Sequence, residues 1–206
     1  MATQKKSAWR ENIEAILIAV VIALFIRTFI VQAFKIPSGS MLETLQIGDH
    51  ILVNKFIYGV KIPFTDGKEL ISGKDPERND IVVFKYPNDP SKDYIKRVIA
   101  VAGDTIEIVN KQVYVNGKLI TDEPWAVHKD QRIIPGQFAP RDNLKKIIVP
   151  PNKLFVMGDN RDNSHDSRFW GFVDLKAVRG EAFIIYWSWN KDDFGVRWRR
   201  IGTLLF

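Results

Sequence analysis

At 206 residues, 46% hydrophobic and 26% charged, the chain is long enough to bury one good core and a small second unit, and its composition excludes a disordered protein. The absence of cysteine excludes a disulfide framework, a thiol nucleophile and a cysteine-ligated metal, leaving His50, His128 and His165 scattered along the chain. A net charge of +6 suits contact with an anionic surface, phospholipid or nucleic acid, and does not choose between them.

The first predicted element is apolar. Residues 15–26 read AILIAVVIALFI, and beyond Arg27-Thr28 the apolar run resumes at Phe29-Ile30-Val31 and fades by Phe34. A helix rises about 1.5 Å per residue and a bilayer core is about 30 Å thick, so a span needs roughly 20 residues, which 15–34 supplies. The reading is a single transmembrane anchor over 15–34, with Arg27 snorkelling toward the headgroups from its outer half. A cleaved secretory leader would end in a small-x-small site, a pattern that Gln32-Ala33-Phe34-Lys35 lacks. The positive-inside tendency of Lys5, Lys6 and Arg10 puts 1–14 in the cytoplasm and 35–206 on the other side of the membrane.

Beyond the anchor, short β-branched and aromatic runs alternate with turn chemistry, and no long segment has helical period. Strands are predicted at 51–53, 81–84, 95–101, 105–109, 113–115, 119–120, 147–149, 154–157 and 182–189, with Asn116-Gly117 as a type I′ hairpin turn. Two polar, Gly- and Pro-punctuated stretches, 59–79 and 111–150, read as excursions, the second as a small inserted subdomain. The tail mixes Trp187, Trp189, Phe194 and Trp198 with Lys191, Arg197, Arg199 and Arg200, a composition that fits a bilayer interface and a β core about equally.

Three segments carry polar chemistry. Lys35-Ile36-Pro37-Ser38-Gly39-Ser40-Met41 follows the anchor directly. Glycine between two serines lets a hydroxyl be exposed and a substrate chain approach, although taken alone an ordinary loop explains the segment better. A serine nucleophile needs a base, and none of the three histidines lies in a Gly-x-Ser-x-Gly or chymotrypsin-like context. Lysine is the other option. In Asp93-Tyr94-Ile95-Lys96-Arg97-Val98, alternation sets Lys96 on one face with Val98 and Ala100, where desolvation would lower its pKa; a solvated strand lysine is the commoner case. The third segment, 157–171, is dense in Asp, Asn, Arg and Ser, as a solvated loop or a His–Asp dyad would be, but lacks the spacing of a metal site.

Taken in order, these segments resemble type I signal peptidases, bacterial Ser-Lys dyad membrane proteases that remove leader peptides from exported proteins. The resemblance runs from the anchor through Ile36-Pro37-Ser38-Gly39-Ser40-Met41, Thr44-Leu45 and Ile47-Gly48-Asp49 to Asp80-Ile81-Val82-Val83-Phe84, Asp93-Tyr94-Ile95-Lys96-Arg97, Gly103-Asp104 and the 158–171 block. It implies a mainly β fold: one N-terminal transmembrane helix, then an antiparallel β-sheet catalytic core over 35–206 with a small β subdomain inserted at 111–150. It further implies Ser40 as nucleophile and Lys96 as general base, with the Ser38 hydroxyl and the Ser40 N–H binding the oxyanion. Ser164 resembles the hydroxyl that orients the base, Asp166 and Arg168 a supporting ion pair, and Arg97 a structural partner. Phe34, Ile36, Met41, Leu45, Tyr94 and Ile95 match substrate-pocket positions that admit only small side chains, giving cleavage after small-x-small motifs.

The implied partners are the signal peptides of exported preproteins and the phospholipid of the bacterial inner (plasma) membrane, with no cofactor, metal or nucleic acid. Two residues depart from the family pattern: Glu43 where proline is usual, and Asn79 where glycine is. The alternatives are a self-cleaving Ser-Lys protease of the stress-response repressor type, whose DNA-binding domain has no counterpart here, and a membrane-tethered β-barrel binding module.

Overall fold

The apolar N-terminal run does not stay helical to its end. In the computed structural model, which describes residues 8–61, 69–71, 73–121 and 123–205, helix α1 (Ala8–Phe25) passes through a π-helical turn (Ile26–Ile30) into strand β1 (Val31–Lys35). Lys5, Lys6 and the middle of the 59–79 excursion lie outside the described residues. The expected single helix over 15–34 is therefore corrected: Val31 to Phe34 pair antiparallel with β2 (Asp49–Asn54), from Val31↔Asn54 to Phe34↔Ile51. An apolar run rich in Val, Ile and Phe fits strand and helix alike, and the available partner decides. The 18-residue α1 also carries Arg10, Glu11 and Glu14, and among the described residues no helix is long and apolar enough to cross a membrane. Its apolar side chains, among them Ile16, Leu17, Ile18 and Val21, are exposed.

The body is mainly antiparallel β. After β2 come the ribbon β3 (Val60–Lys61) and β4 (Glu69–Ile71), then β5 (Ile81–Tyr86) and the long β6 (Asp89–Val101). Next are β7 (Thr105–Val109), β8 (Gln112–Val115), β9 (Lys118–Leu119), β10 (Leu144–Ile148) and β11 (Lys153–Met157). The chain closes with α2 (Ser167–Trp170), β12 (Val173–Asp174), β13 (Val178–Asn190) and β14 (Gly195–Val196). The main sheet runs β1-β2-β13-β5-β6-β11-β12, with β14 added to β13.

Strand β5 shows why this sheet holds together. Its residues alternate between two cores: Ile81 and Val83 pack with Ile51 and Ile185, while Val82 and Phe84 face Val98 and Val156. Apolar residues at every position from Ile81 to Phe84 mark a stretch buried on both faces. A second sheet, β10-β7-β8-β9, lays Ile106, Ile108, Val113 and Val115 against Ile99 and Phe155 of the main body. It begins at Thr105, ahead of the 111–150 stretch, because β7 pairs with both β8 and β10. Between β8 and β9, Asn116 and Gly117 take φ of 54° and 74°, the positive pair a type I′ turn requires.

The tail divides its cations and aromatics between two jobs. Fully buried Asp49 accepts from Arg200 Nη2 at 2.6 Å and Ser188 Oγ at 2.7 Å, and Arg200 Nη2 also donates to the Thr44 carbonyl at 2.8 Å. Phe194 and Trp198 remain exposed, Trp198 meeting Trp187 edge to face at 6.3 Å.

Candidate active site

Strand β1 delivers the serine segment to the middle of the long β6, at Lys96. The ladder continues past Lys35, with Ile36 N–H on the Asp49 carbonyl at 2.8 Å and Gly48 N–H on the Ile36 carbonyl at 3.0 Å. The chain then bends away at Pro37, whose missing N–H ends the pairing. What fixes the bend comes from the 158–171 block: Asn160 donates its N–H to the Ser40 carbonyl at 3.1 Å and its side-chain amide to the Gly39 carbonyl at 2.9 Å. Gly158 lies against the same backbone so closely that a Cβ there would stand 2.3 Å from the Ser40 carbonyl oxygen.

From β6, Lys96 reaches the same point. Its Nζ lies 2.7 Å from Ser40 Oγ and 2.9 Å from the Ile95 carbonyl. Only 3% of Lys96 is exposed, and burial lowers its pKa from 10.5 to about 8; Asp166 and Asp159 oppose the shift and Arg168 adds to it. Expected alternation fails along this strand, where every residue from Lys96 to Ala100 is buried. Here β6 lies between β5 and β11, and both its faces are covered: Val98 packs into the core with Val82 and Val156, Ile99 and Ala100 into the one with Ile106 and Phe155.

Two buried ion pairs frame the lysine. Arg168 grips Asp166 through Nε and Nη2, each at 2.8 Å, and its remaining donors reach the carbonyls of Arg141 and Arg161. Burial works to raise the Asp166 pKa, but Arg168 and the Gly158 N–H hold its carboxyl below the ordinary range. Arg97 pairs in the same two-pronged way with Asp159, at 2.9 and 2.8 Å, and donates to the Asn79 carbonyl at 2.8 Å. Asp159 also accepts from Thr44 Oγ1 at 2.6 Å, tying the serine segment to this pair. The buried Ser164 hydroxyl lies beside Asp166 and helps hold that carboxyl down, yet meets no partner at hydrogen-bond geometry.

The structure thus brings together Ser40, Lys96, Ser164, Asp166, Arg168 and Arg97. A cleft of about 490 Å³ opens on Ser40 and Lys96, and Ser38, Tyr94 and Ile95 line it. Ile36, Met41 and Leu45 do not reach its surface: they are sealed in the core, with Phe34 and Ile95 packed against them. An apolar residue beside a site reads the same in sequence whether it faces the cleft or the core behind it. Reading the sequence assigned no role to Asp159, Asn160 or Thr44; the signal for the first two was the polar density of the 158–171 block, and for Thr44 its place in the Thr44-Leu45 motif. Glu43 points outward, exposed, with Lys129 Nζ at 3.2 Å. Asn79 sits at φ 78°, a left-handed conformation that accounts for glycine being usual there and that asparagine tolerates. Among the described residues, no group of His, Asp and Glu side chains could hold a metal ion.

The family described as "Signal peptidase, peptidase S26" matches residues 9–187. The chain belongs to the S26 signal peptidase family. "Signal peptidase I" of Pseudomonas aeruginosa is 39% identical over 196 residues, covering 82% of this chain and 69% of that protein. The Aquifex aeolicus "Signal peptidase I" is 36% identical over 229 residues, covering 87% and 84%. A crystal structure of a signal peptidase I from Enterococcus faecalis aligns at a TM-score of 0.42 and 31% identity, over 52% of this chain and 97% of that one. As a member of the family, the chain is a serine endopeptidase, a hydrolase that cleaves signal peptides from preproteins. A serine paired with a lysine is typical of the family, and here the two stand 2.7 Å apart.

Proposed function

We propose that Ser40 is the nucleophile and Lys96 the general base of signal-peptide cleavage, in a site held at a membrane surface. The observation that carries this reading is the 2.7 Å contact between Ser40 Oγ and a lysine whose burial lowers its pKa to about 8. At that value about a tenth of Lys96 is the neutral amine at pH 7 and about half at pH 8, which is the form a base requires. Lys96 takes the Ser40 proton as Oγ attacks the scissile carbonyl. The Ser40 N–H and the Ser38 hydroxyl donate to the oxyanion. As the C–N bond breaks, the Lys96 ammonium returns its proton to the departing amine, and the acyl-enzyme is then hydrolysed by water that Lys96 deprotonates.

Asp166–Arg168 and Arg97–Asp159 supply charge on both sides of the base without contacting the substrate, and Ser164 orients the amine. The substrate lies extended along the cleft against Tyr94 and Ile95. The close-packed side chains of Ile36, Met41, Leu45 and Phe34 behind that wall leave room only for small residues, hence cleavage after small-x-small motifs. Helix α1, with its exposed apolar residues, is the membrane-embedded element; its N-terminus is cytoplasmic and the β body lies across the bacterial inner membrane.

The test is cleavage of a preprotein bearing Ala-x-Ala before the cut, using the full chain in detergent. Ser40→Ala and Lys96→Ala each abolish cutting, whereas full activity in Lys96→Ala would refute the dyad.

A further inference from the structure

The 111–150 stretch contains a segment, 123–130, that belongs to neither sheet and touches all three parts of the active site. On the base side, the Trp125 ring covers the Arg97 guanidinium at 4.2 Å from its centroid, and Arg97 pairs with Asp159, whose charge acts on Lys96. On the 158–171 block, Val127 N–H donates to the Asp159 carbonyl at 2.8 Å, and Arg161 N–H donates to the Val127 carbonyl at 3.0 Å. Glu123 takes Arg161 in a two-pronged ion pair at 3.0 and 2.6 Å, and Asp130 N–H donates to Asp162 Oδ2 at 2.7 Å. On the serine side, Lys129 meets Glu43, three residues past Ser40. The Trp125 indole N–H is buried without a hydrogen-bond partner.

We propose that 123–130 is a strap that positions the catalytic base, and that Trp125 is the positioning residue through which it acts: the indole seals the Arg97–Asp159 pair from water and so keeps the environment of Lys96 dry. This rests on Lys96 being the base. The charged and titratable groups that face Lys96 are Asp159 and Arg168 with Asp166, Tyr94 at 5.6 Å, and Asp93 and His165 along the cleft. None of these belongs to the strap, so removing Trp125 changes hydration without removing a charge from that set. Water admitted beside Arg97 relieves the burial that disfavours the ammonium.

The experiment measures kcat and KM against pH for the full chain in detergent, well below each variant's Tm. Trp125→Ala moves the acidic limb of kcat to higher pH by about one unit, which is about a tenfold loss at pH 7 that is recovered at alkaline pH, with KM within about twofold. Trp125→Phe, which keeps an aromatic face over Arg97, keeps the wild-type limb. A merely structural role would lower the folded fraction at every pH and leave the limb in place, and that result overturns the proposal. Should Trp125→Ala fail to fold, Trp125→Leu must show the same alkaline displacement, and an unmoved limb in that variant is equally fatal. An active Lys96→Ala would overturn the base assignment and the proposal together, whereas an inactive Lys96→Ala beside an unmoved Trp125→Ala limb would overturn the proposal alone.

Discussion

Replacing Gly158 by alanine tests the active-site geometry with a single methyl group. The added Cβ would stand 2.3 Å from the Ser40 carbonyl oxygen, 2.3 Å from Ser164 Oγ and 2.6 Å from Ser164 Cβ. Opening the backbone contact to 3.0 Å, the nearest approach that Cβ atoms make, displaces Ser40 or Gly158 by about 0.7 Å. Ser164 can rotate its hydroxyl away, but the Ser40 carbonyl is pinned by the Asn160 N–H and cannot yield alone. Overpacking of this kind costs about 1–3 kcal/mol of stability, and a misplacement approaching 1 Å at reacting atoms costs about 10²-fold in rate. Gly158→Ala is therefore expected to lower kcat/KM on a signal-peptide substrate by about two orders of magnitude while lowering Tm by only about 2–12 °C. Gly103→Ala is the control: nothing lies within 4 Å of a Cβ there and φ is +87°, so it carries backbone strain without a clash and retains wild-type kcat/KM. A Gly158→Ala enzyme within threefold of wild type would refute the close packing of Gly158 on Ser40.

Three further outcomes follow from particular contacts. Burial of Lys96 lowers its pKa from 10.5 to about 8, so below pH 8 the folded state carries a cost of about 3 kcal/mol that fades as pH rises toward 10.5. Lys96→Met should abolish cleavage yet raise urea-derived stability at pH 7 by about 2–3 kcal/mol, with the gain shrinking between pH 8 and 10.5; a pH-independent difference would contradict this. At Asn79, with φ 78°, Asn79→Ala should destabilise by about 1 kcal/mol and Asn79→Gly should not, as equilibrium denaturation will report. Arg200→Met strips buried Asp49 of its shortest ion pair but leaves Ser188 and Arg197 beside it, so a loss of about 2–3 kcal/mol is expected in the same assay.

Much of the fold is written in residue order, because antiparallel strands pair mostly with near neighbours and Asn116-Gly117 announces its own turn chemistry. The end of α1 is not, since Val31-Gln32-Ala33-Phe34 can extend a helix or edge a sheet and only the presence of β2 selects the strand. Ser40 and Lys96 are legible through motif order, but taken alone each has the composition of a turn serine and a strand lysine. Which aspartate serves which arginine is hidden: Asp159, Asp162 and Asp166 are equivalent in sequence, and it is the turn at Arg161–Asn163 that sends Asp159 to Arg97 and Asp166 to Arg168. The strap at 123–130 has no periodicity and no regular secondary structure, so its contacts, made across long sequence separations, leave no local trace.

The passage from α1 through the π-helical turn into β1 leaves no slack. Five residues of β1 are stitched to β2, and the ladder continues to Ile36, four positions before Ser40. A strand of that length extends about 16 Å, and inserting one residue would turn every following side chain to the opposite face. The link between helix and serine is a rigid strut rather than a tether, so whatever surface holds the helix also fixes the height at which the blade of this enzyme stands above it.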